Sequence, residues 1–334
     1  MAENLTLILY YLPFLSLFLY AFKVDNKKIN KNLTAFLILL CLFFLLSFRY
    51  DVGWDYLTYY EIFFATDDQK FEPFSQLVLS LSRLVGSVDI MYVIFALVTI
   101  VPIFFSYLNF RHISLLVFYI SFPFFFLESF SVMRQGAAIS FCILAYSFYL
   151  RRSNLYIVFS LIALLFHYSA LMFFLMMLFC RISNDRFKLI SIFVLVFVYF
   201  NLNAILLSLS AFFPKLLFYT SGTAFGLLSL FSIFLLFFVS ISKSECFEKY
   251  YIIFVGLTLN LILIGFDSVL TRVCWYFYIP FCFLKWDFVC YKVKFNKILF
   301  LIMMLVFYSY TIFLKSNFEH GSYLPYKTNL FKLL

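Results

Sequence analysis

Arg49, Arg134 and Arg272 each stand at the edge of an apolar run. An arginine offers planar, paired donors that match phosphate oxygens, and it keeps its charge at any working pH. Two or three such groups suit a diphosphate, although any one of them alone could simply snorkel to lipid headgroups. His167, in LIALLFHYSALM, lies in the middle of a hydrophobic stretch. An ionisable group there costs about 2.5–3.5 kcal/mol on insertion scales and is a functional candidate by default, with a hydrogen-bonded bundle histidine as the plain alternative. Asp55 and His167 are the groups able to take a proton from an attacking hydroxyl.

The segment FRYDVGWDYLTYY, 48–60, gathers further polar and aromatic groups. Asp51 and Asp55 are four apart, but Gly53 between them favours a turn, in which Asp55 can cap a following helix and Asp51 can pair with Arg49. Two carboxylates are a thin ligand set for a divalent ion, so no metal site is assigned. The rings of Tyr50, Trp54, Tyr56, Tyr59 and Tyr60 suit either an interfacial belt or stacking against sugar faces. Glu72-Pro73 begins FSQLVLSLSRLVG, whose scattered polar residues suit a helix lying along a membrane interface.

The elements that must position these groups are hydrophobic. The chain of 334 residues is 65% hydrophobic and 12% charged, against about half and a quarter in soluble domains. That composition predicts an all-α polytopic membrane protein in one integral domain, 1–334. Candidate spans are 5–22, 33–48, 89–108, 113–130, 136–150, 155–178, 189–207, 225–241, 251–266, 273–290 and 298–314, about ten or eleven crossings at roughly 20 residues each. The 53 phenylalanines fit an AT-rich coding sequence better than an aromatic binding surface. The first run, Leu5–Phe22, lacks a basic n-region and a small-residue cleavage site and reads as a retained helix. The 7 cysteines show no C-x-x-C spacing and read as small core residues.

The net charge of +9 comes from short loops between apolar runs, as lipid insertion dictates, and does not indicate nucleic acid. The lysine-rich loop 23–32 belongs inside, and the acidic segment 49–88, with its interfacial helix, outside. A tail, 315–334, is also placed outside. A full crossing by 155–178 would put the basic loops 181–188 and 285–297 outside; a re-entrant hairpin there restores the bias. This topology sets all three arginines on the acidic outer side, where the positive-inside rule disfavours them and a ligand explains them better. There is no phosphate-cradling glycine loop, H-E-x-x-H or G-x-S-x-G, so nucleotide-driven chemistry is not expected.

FRYDVGWDYLTYY, FEPF (71–74), VMRQGAAISF, IALLFHYSALM, TRVCWYFYIPF and YLPYK (323–327) occur in this order over nearly the whole chain. Together they resemble the EpsG family of bacterial polysaccharide proteins, which includes many Wzy-type O-antigen polymerases. The pattern matches at Arg49, Gly53, Asp55, Tyr56, Tyr60, Glu72, Arg134, Gln135, His167, Arg272 and Pro325. The resemblance implies a multispanning glycosyltransferase of the bacterial plasma membrane, related in fold to the GT-C enzymes and acting at the periplasmic face without a cofactor. It would move a growing glycan from undecaprenyl diphosphate to the terminal sugar of a lipid-linked repeat unit, alongside a chain-length regulator and a flippase. Arg49, Arg134 and Arg272 would hold the diphosphate and Asp55 or His167 would act as base. Asp51, Trp54, Tyr56, Tyr60, Glu72, Gln135 and Tyr323 would meet sugar or lipid. A lipid-linked oligosaccharide flippase is the main rival reading, although no internal repeat is visible. A membrane acyltransferase is disfavoured because His167 has no acid nearby in sequence, and a scaffold of the export machinery is the remaining option.

Overall fold

The computed structural model describes residues 7–13, 15, 31–65, 71–181, 247–264, 270–283, 294–316 and 319–329, with single positions between 197 and 208. These residues form helices and connecting loops, with no strand among them. The chain divides into two compact units, one of residues 1–170 and 282–334, the other of 171–281.

In the first unit the elements are α1 (Lys31–Ser47), α2 (Tyr56–Phe64), α3 (Pro73–Val85), α4 (Val88–Phe110), α5 (Ser114–Ser121), a 3-10 turn at Leu127–Phe130, α6 (Met133–Leu150), α7 (Leu155–Phe166) and a second 3-10 turn at Tyr168–Ala170. The second unit holds α8 (Leu171–Arg181), α9 (Phe247–Ile264) and most of a 3-10 helix, Leu270–Phe283. A last helix, α10 (Lys294–Leu314), returns to the first unit.

Among the described residues one helix, α4, is long and apolar enough to cross a membrane by length and composition, with a mean hydropathy of 2.4 over its best window. Its 23 residues give about 35 Å at 1.5 Å per residue, against about 30 Å of hydrocarbon. The span expected at 113–130 is corrected. Helix α5 has 8 residues, about 12 Å, because Pro123 pushes Phe122 into extended conformation and stops the helix. The span expected at 155–178 is likewise interrupted: α7 ends at Phe166 and His167 is extended, with φ −158° and ψ 125°. The candidates 189–207 and 225–241 fall almost wholly outside the described residues.

Helix α6 packs against α4 and α7, α1 packs on α4, and α3 packs on α4 and α7. Small residues permit the close approach at the start of α6: a Cβ on Gly136 would come within 2.7 Å of the Ser129 hydroxyl, and Ala137 and Ala138 are fully buried. Helix α3 has Pro73 in its first turn and left-handed Gly86 after its end, the usual division of labour between these residue types. Its Arg83 donates to the carbonyls of Ile62, Phe63 and Ala65, supplying partners that the end of α2 lacks.

A tail, residues 319–329, lies against the loop that follows α1. Tyr50 N–H donates to Lys327 O, Gly53 N–H to Gly321 O and Asn329 N–H to Phe48 O. Arg49 and Thr328 form an isolated antiparallel bridge. Gly53 adopts φ +100°, and a Cβ there would stand 1.8 Å from the Phe130 carbonyl oxygen. No other residue type fits, which explains the glycine between the two aspartates.

In the second unit α8 packs on α9. Asn260 of α9 donates to the Tyr278 hydroxyl at 2.6 Å, and Gly256 lets the Phe277 side chain lie against the helix.

Candidate functional site

Glu72 lies at the centre of an ion cluster. It occupies the residue before α3, and the Ser75 hydroxyl of that helix donates to the Phe166 carbonyl at the end of α7. This bond brings the start of one helix to the end of the other and sets Glu72 beside His167. Glu72 Oε1 meets His167 Nδ1 at 2.6 Å, and Glu72 Oε2 accepts from Arg134 Nη1 at 2.6 Å. Oε1 also takes the Tyr168 backbone N–H at 3.4 Å.

Arg134, in the first turn of α6, is fixed on three sides. Its Nε donates to the Tyr59 hydroxyl at 3.3 Å and its guanidinium lies 4.3 Å from the centroid of the Phe71 ring. Burial alone would raise the carboxyl pKa of Glu72, but the hydrogen bond with His167 and the charge of Arg134 bring it down to about 2. Glu72 is therefore an anion throughout the neutral range. Burial raises the Tyr59 phenol, with Arg134 opposing, and leaves it neutral.

The chemistry follows from what remains open. An ionised carboxylate only accepts hydrogen bonds, so its contact with Nδ1 favours the tautomer protonated there and leaves the Nε2 lone pair free. No described residue bonds to His167 Nε2 or Arg134 Nη2. The two side chains are 27% and 26% exposed, whereas Glu72 between them is 5% exposed. A proton acceptor and a cationic donor thus face outward from a shared, buried anion.

The other residues expected at a site are distributed differently. Arg49 is 1% exposed; its guanidinium lies 5.2 Å from the Tyr92 ring centroid and 5.6 Å from that of Phe130, and its Nη1 donates to Ser129 O. It is closed to a lipid diphosphate in this conformation. Asp51 does not pair with Arg49. Its Oδ1 accepts from Gly321 N–H, its Oδ2 from Lys327 Nζ at 2.9 Å, and His320 stands 3.7 Å away. Burial would raise the Asp51 carboxyl, but Lys327 and Gly321 outweigh it and hold the group below its usual value.

Asp55 occupies the position before α2 without making the side-chain cap expected of it. Trp54 and Tyr60 are exposed. Tyr56 is buried and stacked on Tyr92 with centroids 4.8 Å apart, and Gln135 is buried too. Tyr323, expected to meet sugar or lipid, is an internal strut: fully buried, it donates to Leu127 O at 2.7 Å and shares a hydrogen bond with the Ser131 hydroxyl. Arg272 is half-buried and belongs to the second unit. Among the described residues no group of acids, histidines and cysteines is arranged to hold a metal ion.

Sequence reasoning names Glu72 as a helix start or a sugar or lipid contact and misses that it is the acid partner that His167 lacks in sequence. It places Tyr59 in an aromatic belt and does not single out Phe71, and both fix Arg134. A buried pair of Lys315 and Glu128, with the ammonium 5.3 Å from the Trp54 ring centroid, had no signal beyond a lysine ending an apolar run.

No curated protein and no solved structure matches the chain. The family model for the EpsG family, whose members are Wzy-type polymerase-like proteins, matches residues 32–328. That match covers nearly the whole chain and every member of the Arg134, Glu72 and His167 cluster, and the chain accordingly belongs to the EpsG family.

Proposed function

We propose that the chain is a polysaccharide polymerase of the bacterial plasma membrane. It transfers a growing glycan from a polyprenyl diphosphate carrier to the terminal sugar of a lipid-linked repeat unit, at the outer face. The observation that carries this reading is the shared carboxylate of Glu72, which pairs at 2.6 Å with both Arg134 and His167. The multi-pass placement is supported by α4 and by the shorter apolar helices of α1, α7 and α10. These helices carry exposed large apolar residues such as Phe36, Phe105 and Leu161.

In the transfer, the acceptor hydroxyl gives its proton to His167 Nε2 as its oxygen attacks the anomeric carbon. The bond to the diphosphate oxygen breaks, and the leaving group departs with the electron pair. Glu72 fixes the imidazole by its Nδ1 side, so that the base is oriented and the imidazolium formed in the step is stabilised. Arg134 directs its Nη2 donors towards the negative charge on the departing phosphate, in a partly dry setting where such stabilisation is strongest. Asp55, as a competing base, is a part of the proposal that side-chain replacement tests directly.

The test is in-vitro polymerisation of lipid-linked repeat units by the purified full chain. His167→Ala is expected to lower turnover by about 10²- to 10⁴-fold, and Glu72→Gln to lower it nearly as far, with both proteins present at normal amounts in the membrane. Normal turnover in His167→Ala with loss in Asp55→Asn would transfer the base role to Asp55. Transport of lipid-linked repeats across vesicles by a chain that never lengthens them would replace the polymerase reading with a flippase.

A further inference from the structure

Arg49 is a charged side chain in the interior of the first unit, 1% exposed. Tyr92 and Phe130 lie against its guanidinium, and Nη1 is tied to a backbone carbonyl. The Nε atom is buried and has no hydrogen-bond partner among the described residues. No described carboxylate lies within ion-pair distance of it; the ion pairs among the described residues are those of Arg134, His167, Lys315, His320 and Lys327. Burial accordingly pulls the guanidinium pKa down. Arginine does not deprotonate in proteins, so a full positive charge is held in a dry interior, a placement that costs several kcal/mol unless something pairs with it.

Beside Arg49 there is a cavity of about 10 Å³, whose wall also includes Leu46, Phe95, Ala96, Thr99 and Met133. No residue in this wall is more than 4% exposed. The space suits one water molecule or a monatomic ion of similar size, and it is far too small for a phosphate ester. A water there would leave the charge uncompensated, whereas a halide beside the guanidinium would compensate it.

We propose that Arg49 holds a single buried halide, chloride under physiological conditions, in this cavity. The anion completes the support of the loop 48–55, because Arg49 connects that loop to Tyr92 of α4 and to the 3-10 turn at Leu127–Phe130. The site is separate from the Glu72 cluster, and it stands or falls independently of the polymerase reading.

The experiment is thermal unfolding of the purified full chain in detergent, in sodium chloride and in sodium gluconate at equal ionic strength. Chloride is expected to raise Tm by a few degrees in a saturable way, as a ligand of the folded state alone must, and gluconate, too bulky for the cavity, is expected to have no effect. Ala96→Val, which adds two methyl groups to the cavity, is expected to abolish the chloride response. Identical curves in the two salts would overturn the proposal and leave at most a water in the cavity, and a chloride response that survives in Ala96→Val would overturn it too. Should that variant fail to fold, anomalous scattering from bromide-soaked wild-type crystals decides: a peak beside Arg49 supports the site, and bromide located only elsewhere removes it.

Discussion

Arg49 and Arg134 have similar sequence settings, each at the edge of an apolar run, but their surroundings in the fold are opposite. Arg134 is paired with a carboxylate, stacked on Phe71 and still partly open, with no described residue bonded to its Nη2. Arg49 is sealed between rings with no described carboxylate in reach. The first arrangement suits a residue that must stabilise charge appearing during a reaction; the second suits one that fixes a loop. Residue type and distance from an apolar run therefore do not separate a ligand-facing arginine from a structural one. The arrangement of partners does.

The largest expected effects break this comparison most directly. Arg49→Lys should cost about 2–4 kcal/mol of stability, because the ammonium cannot reproduce the planar contacts with Tyr92 and Phe130 together with the bond to Ser129 O. It should lower the amount of folded chain in the membrane. Arg134→Lys should leave that amount unchanged and lower polymer formation roughly tenfold, equivalent to about 1.4 kcal/mol of transition-state stabilisation. Thermal unfolding and polymer length on gels, measured side by side on both variants, would show whether the two arginines differ in kind; equal loss of folded protein in both would erase the distinction.

A second prediction sharpens the Arg134 side. The Glu72 carboxyl lies at about 2 in the folded chain against roughly 4.3 when unfolded. A depressed carboxylate contributes stability that is fully present above the unfolded value and is lost as pH falls through the folded one. The Tm difference between the wild-type chain and Glu72→Gln should therefore be constant near neutrality and shrink between about pH 4.5 and 2. A difference independent of pH over that interval would mean that the charge of Glu72 does not matter to the fold. The smallest effect is expected at Asp51. Lys327 is 43% exposed, and a partly solvated pair is worth about 0–1 kcal/mol, so Asp51→Asn should lower Tm only slightly and leave transfer intact.

Much of the local architecture was legible in the sequence. The run 33–48 is α1, 89–108 is α4, and Glu72-Pro73 does start a helix, because each rests on hydropathy or on backbone chemistry confined to a few residues. The interruption at Pro123 was also legible in principle, from a proline inside a proposed span. The Glu72–His167 pair was not, because it joins positions 95 apart and depends on α3 meeting the end of α7. The burial of Tyr323 was equally hidden: a tyrosine in a short, polar-flanked tail reads as exposed until the tail is known to fold back on loop 48–53.

That return of the tail has a consequence for biosynthesis. A chain is made from its N-terminal side, so residues 48–53 are translated long before 319–329. The backbone partners of Tyr50 and Gly53 are Lys327 and Gly321. The loop carrying Trp54 and Asp55 therefore reaches its final form only after residue 327 has been added, and a chain terminated before that point is left without these partners.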